Sequence, residues 1–113
     1  MPKSARLLKR AEFLRLSRTG AKFQSASFIV ISGTNHRPES RLGITVSSKV
    51  GNAVIRNRIK RQIREFFRRR RIELRPGVDI LVIARKSAAE LTRPGIESEL
   101  TRAFGQRSLH IAD

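Results

Sequence analysis

The chain reads as an α/β (α+β) sandwich, in which helices pack on one small mixed sheet. Two features of the sequence lead there. The first is a run of about twenty residues, 51–71, where Ile55, Ile59, Ile63, Phe66 and Phe67 recur at helical spacing. The second is a set of short β-branched runs around it, at 22–33, 41–48 and 78–84. The order is helix, strand, strand, long helix, strand, helix, which buries an apolar helix stripe against an apolar sheet face.

Each element has its own local reason. Residues 1–5 form a loose basic tail. From Arg6, the spacing of Leu7, Leu8, Ala11, Phe13 and Leu14 predicts a short helix that stops at Thr19-Gly20, where glycine tolerates a helix stop. Its polar side carries Arg6, Lys9, Arg10, Arg15 and Arg18. Phe13 fits either core packing or a surface ring that stacks on a base. Residues 22–33 read as one strand centred on Phe28-Ile-Val-Ile. Residues 34–40 are a polar loop punctuated by Pro38. In 41–48, Leu42, Ile44 and Val46 alternate with Gly43, Thr45 and Ser47, and the short loop before them predicts an antiparallel pair with the preceding strand. Asn52 suits the N-cap of the long helix. Leu74-Arg-Pro-Gly breaks that helix. Residues 78–84, Val-Asp-Ile-Leu-Val-Ile-Ala, are the strongest strand and predict a central one. Pro94 fits the first turn of a last helix with Ile96, Leu100 and Phe104 as its stripe. No repeat or linker divides the chain, so 1–113 is expected to be a single domain with 1–5 and 106–113 as loose tails.

The charge is lopsided. Twenty-five Lys and Arg face nine Asp and Glu, a formal net charge of +16. In the long helix, Arg56, Asn57, Lys60, Arg61, Arg64 and Arg68 lie off the apolar stripe, with Arg58 on the other flank and Glu65 as the one acid. Like charges on one rod repel, and a polyanion relieves the repulsion. Arginine outnumbers lysine, and its planar fork pairs with phosphate and stacks on bases. Nucleic acid is therefore the first partner class, an anionic membrane surface the second. With no cysteine, disulfides and thiolate metal sites are excluded, and His36 and His110 are too far apart in sequence to suggest zinc. No apolar run is long enough to span a membrane and the N-terminus lacks a secretory h-region, so a cytoplasmic protein is expected. No catalytic constellation appears. Asp79 reads as an edge-facing or capping carboxylate, since a metal pair needs a second acid nearby, and Glu97 and Glu99 face different ways on a helix. Phosphate-binding loops and dinucleotide fingerprints are absent. What remains is a basic helix beside a shallow surface, with Phe13, Phe23 and Phe28 as the few aromatics available to it.

The segment Lys49-Val-Gly-Asn-Ala-Val-Ile-Arg-Asn-Arg-Ile-Lys-Arg-Gln-Ile-Arg resembles the Arg-Asn-Arg signature of the bacterial ribonuclease P protein subunits. Arg6-Leu-Leu-Lys-Arg-Ala-Glu-Phe, Arg41-Leu-Gly-Ile-Thr-Val-Ser-Ser-Lys and Asp79-Ile-Leu-Val-Ile-Ala-Arg-Lys extend the resemblance in order over residues 6–104. It implies an αβββαβα-like fold and a non-catalytic subunit whose RNA partner, with Mg²⁺ held mainly by that RNA, removes the 5′ leader of precursor tRNA. It implies no membrane and no required protein partner. By resemblance Arg56, Asn57, Arg58, Lys60, Arg61, Arg64, Arg68 and Lys49 face the catalytic RNA. Phe13, Ile29, Ile31 and Lys49, with Arg6 and Lys9 of the first helix, fall to the single-stranded leader. Ser17 and Ile31 stand where some members carry an aromatic, so weaker base stacking is expected. The alternative is a structural RNA-binding protein of ribosomal type. A DNA-binding factor fits less well, because a strand and not a partner helix precedes Asn52. An autonomous nuclease lacks its chemistry.

Overall fold

The computed structural model of the chain describes residues 10–70 and 77–104, with the side chains of Arg10, Phe13 and Phe104 outside that description. Its elements are α1 (Arg10–Thr19), β1 (Ala21–Gln24), β2 (Phe28–Thr34), β3 (Arg41–Thr45), α2 (Ala53–Arg70), β4 (Val78–Ala84), a 3-10 turn (Lys86–Glu90) and α3 (Arg93–Phe104). Arg6, Lys9, the two tails and residues 74–76 of the predicted breaker lie outside the described residues. The four strands form one mixed sheet in the order β1-β2-β4-β3. β4 is central, antiparallel to β2 and parallel to β3.

Two expectations need correction. Residues 22–33 are a hairpin of two strands, not one strand. Ser25 turns the chain: its N–H donates to the Phe28 carbonyl at 2.9 Å, and its hydroxyl accepts the Phe28 N–H at 3.2 Å. Gln24 then falls opposite Ile29. A small polar Ser-Ala-Ser segment satisfies its own backbone more readily than it extends a ladder. The strands before and after the 34–40 loop also do not pair with each other. β4 lies between them, taking Ile31 opposite Leu81 on one edge and Gly43 opposite Leu81 on the other. The most apolar strand has most to gain from neighbours on both sides.

The core lies between one sheet face and the helices α2 and α3. Phe28, Val30, Leu42, Ile80 and Val82 meet Ile59, Ile63, Phe66 and Phe67 of α2 and Ile96 and Leu100 of α3, all buried. Phe28 is thereby a core residue, and Phe23 is half-buried against the same cluster; neither is an open stacking platform. Asn52 caps α2 as its position predicts, its side-chain oxygen accepting the Ile55 N–H at 3.0 Å. Thr92 does the same for α3 through the Gly95 N–H at 3.3 Å.

Among the described residues, only α1 covers the other sheet face. Leu16 packs on Ile31 and Leu81, with Ile29 and Ile83 half-buried beside them. The approach is close. A Cβ on Gly33 would stand 2.9 Å from Leu16 Cδ1, and one on Gly20 would stand 2.6 Å from Ile31 Cγ2. Glycine at both positions lets the end of α1 lie down on β2.

Candidate nucleic-acid interface

At 3.6 residues per turn, α2 divides its polar residues among three strips. Asn57, Arg61, Arg64 and Arg68 point outward and are exposed. Arg56 and Lys60 sit half-buried on one flank, where Arg56 Nε donates to the Gly51 carbonyl at 3.1 Å. Arg58, Glu65 and Arg69 occupy the other flank, toward α3 and the 3-10 turn. Arg58 gives its two terminal nitrogens to that turn, Nη2 to the Ala89 carbonyl at 3.1 Å and Nη1 to the Leu91 carbonyl at 3.2 Å. Arg69 pairs with Glu97 of α3, and Arg68 pairs with Glu65 at 2.9 Å, one turn away. Asn57, Lys60, Arg61 and Arg64 make no side-chain hydrogen bond or ion pair with the described residues. Three unneutralised cations within two helical turns define an open positive ridge.

The sheet face beside α1 is the second surface. Register puts Gln24, Ile29, Ile83 and Thr45 side by side across all four strands. Ile29 and Ile83 are half-buried, Gln24 and Thr45 exposed. Three inter-strand gaps of about 4.8 Å give this strip a width of ~15 Å. α1 walls it along one side, with Leu16 on the neighbouring Ile31 and Leu81. Beyond β3, Lys49 stands exposed on the turn that leads from the strip into α2. The strip and the ridge are therefore joined by a short, basic piece of chain.

The Ribonuclease P family profile matches residues 1–107. The ribonuclease P protein component of Desulforapulum autotrophicum is 48% identical over 103 residues, covering 91% of this chain and 88% of that relative. Among solved structures, the Staphylococcus aureus RNase P protein superposes with a TM-score of 0.83 at 40% identity, covering 88% of this chain and 92% of that one. The Thermotoga maritima RNase P protein gives 0.78 at 36% identity, covering 87% and 93%. The chain belongs to the Ribonuclease P family.

Within this ribonuclease P protein fold, the residues singled out by sequence separate into groups. Asn57, Lys60, Arg61, Arg64 and Arg68 come together on the ridge. Arg58 is set apart, because its fork serves the backbone of the 3-10 turn. Ile29 lies in the strip and Lys49 borders it, but Ile31 is 2% exposed beneath Leu16 and acts as support beside the strip, not as its surface. Ile83, Gln24 and Thr45 belong to the strip and were missed. They become visible only once the strand order is known.

Asp79 is also corrected. It is neither edge-facing nor a cap but 2% exposed, and it accepts from Arg41 Nε at 2.9 Å and Nη2 at 2.7 Å. Asn35 Nδ2 donates to it at 2.8 Å. The hydrogen bond from Arg41 to Asp79 outweighs the cost of burial and raises the Arg41 pKa above its ordinary value, so the guanidinium stays charged. On the surface, the Arg68 hydrogen bond lowers the Glu65 pKa, and hydrogen bonds from Arg69 and then Arg93 lower that of Glu97. No group of three His, Cys, Asp or Glu suited to a metal occurs among the described residues, and both Asp79 oxygens are already engaged. These residues do not fit a protein-built Mg²⁺ site.

Proposed function

We propose that this chain is the RNA-binding protein subunit of a ribonuclease P ribonucleoprotein and acts in the cytoplasm. In this reading the ridge of α2 grips the sugar-phosphate backbone of a catalytic RNA. The strip between α1 and the end of β3 receives the single-stranded 5′ leader of precursor tRNA. Hydrolysis belongs to the RNA and to the Mg²⁺ it holds. The protein contributes cations and a shaped surface.

The observation that carries the proposal is the unpaired row Lys60, Arg61 and Arg64, on the helix that the turn bearing exposed Lys49 joins to the open sheet strip. A helix needing only solubility would mix signs, as the Arg69–Glu97 flank does. Guanidinium groups left without carboxylates are positioned for phosphates. Half-buried Ile29 and Ile83 offer apolar contact to sugars and bases, while exposed Gln24 and Thr45 offer hydrogen bonds.

Reconstitution tests it. The protein added to its cognate catalytic RNA at low Mg²⁺ should increase 5′ maturation of precursor tRNA, and the protein alone should cleave nothing. Cleavage by RNA-free protein would overturn the division of labour. Binding to the RNA without any gain in maturation would favour a structural, ribosomal-type role.

A further inference from the structure

We infer that Glu12 is a positioning residue: through its ion pair with buried Arg41 it sets the direction of α1, and so the wall of the sheet-face strip. The inference rests on the reading of that strip as the leader site.

Among the described residues, α1 holds the sheet by two anchors. One is Leu16, packed on Ile31 of β2 and Leu81 of β4. The other is Glu12, whose Oε2 accepts from Arg41 Nη2 at the start of β3. The two anchors are four residues apart, so they share one face of the helix. They also reach different strands, which means α1 crosses the sheet. A single anchor would fix where the helix sits and leave it free to pivot. Two anchors fix its direction as well.

The donor side of this pair is held independently of Glu12. Arg41 is 4% exposed and already matched by the two oxygens of Asp79. Asn35 in turn holds Asp79, and Asn35 is tied by its own N–H to the Gly77 carbonyl at 2.7 Å. Asp79 alone neutralises Arg41. The second carboxylate is therefore not needed to keep the buried cation, and what it adds is the tie to α1. The other polar side chains of α1 that are described, Arg15, Ser17, Arg18 and Thr19, are exposed.

The test compares Glu12→Ala, Glu12→Gln and Lys49→Ala, each assembled with the catalytic RNA. Alanine is a good helix former, so α1 itself survives the change. Glu12→Ala should speed amide exchange across residues 11–19 while leaving β4 unchanged. It should also lower the preference for leader-bearing precursor over mature tRNA by roughly tenfold, the low end for a charge-assisted hydrogen bond. Affinity for the catalytic RNA should hold, because the ridge is untouched. Glu12→Gln keeps an oxygen for Arg41 and should recover part of the preference. Lys49→Ala tests the strip itself and should lower the same preference. If Lys49→Ala lowers it and Glu12→Ala does not, the positioning role is overturned, whether or not exchange speeds up. If neither variant changes it, the leader site is misplaced and the inference falls with it.

Discussion

Asp79 shows what a single residue decides in this molecule. Its carboxylate lies opposite Arg41 on the parallel neighbour of β4, and the two are buried together. Removing one member of such a pair strands the other, a loss of about 3–5 kcal/mol. Asp79→Ala should fall near the lower end, about 3 kcal/mol in urea unfolding, because Glu12 still faces the guanidinium. Asp79 looked like an edge carboxylate in sequence because its partner is remote along the chain, and only the parallel register brings the two together. Arg58 was obscure for a similar reason. Helical periodicity placed it on its flank correctly but could not reveal the carbonyls of Ala89 and Leu91 waiting there. Glu97 gives a pH signature at the same scale. Its pKa is depressed first by Arg69 and then by Arg93, so its contribution to stability is complete above the ordinary carboxylate value and is lost as pH falls through the lowered one. Carboxylate titration followed by NMR should place Glu97 below the ordinary glutamate value, with Arg69→Ala moving it upward.

At the scale of elements, α2 was legible because it states its structure twice, once in the isoleucine stripe and once in the Asn52 cap. The two signals agree, and agreement between levels is what makes a segment foldable and readable. β4 was legible for the apolar run 80–84 that follows Asp79. The β1–β2 hairpin was not, because no glycine or proline marks its turn and only hydrogen bonding at Ser25 reveals the break. The 3-10 turn had no periodic signature at all. The two sides of α2 should respond oppositely to mutation. Ile63 is fully buried, so Ile63→Ala should cost about 2–5 kcal/mol in unfolding. Arg61→Ala and Arg64→Ala should leave the unfolding midpoint nearly unchanged. Each should instead flatten the salt dependence of RNA binding by about 0.7–0.9 in the slope of log K against log salt. Arg58→Ala should do the reverse, lowering stability with little change in slope.

For the whole molecule, the excess of cations sets two responses to salt with opposite signs. RNA binding weakens as counterions compete. If Lys60, Arg61, Arg64 and Arg68 are the groups engaged, the slope on duplex should be near −3.6, a loss of about 10² in affinity between 50 and 200 mM salt. Six engaged cations, with Arg56 and Arg58 included, would give a slope near −5.4 and a loss of about 10³. The internal bonds of Arg56 and Arg58 favour the smaller figure. The free protein should respond the other way. At +16 it repels itself, and screening that shortens from about 10 Å at 0.1 M to about 3 Å at 1 M relieves the repulsion. The same salt weakens the exposed Arg68–Glu65 and Arg69–Glu97 pairs, but these are few against the surplus of cations, and the buried Arg41–Asp79 pair is screened least. Thermal unfolding of the RNA-free protein should therefore shift to higher temperature as NaCl rises over the range in which RNA affinity falls. A Tm that drops with salt would mean that the attractive pairs outweigh the repulsion, and the unpaired ridge would no longer account for the charge.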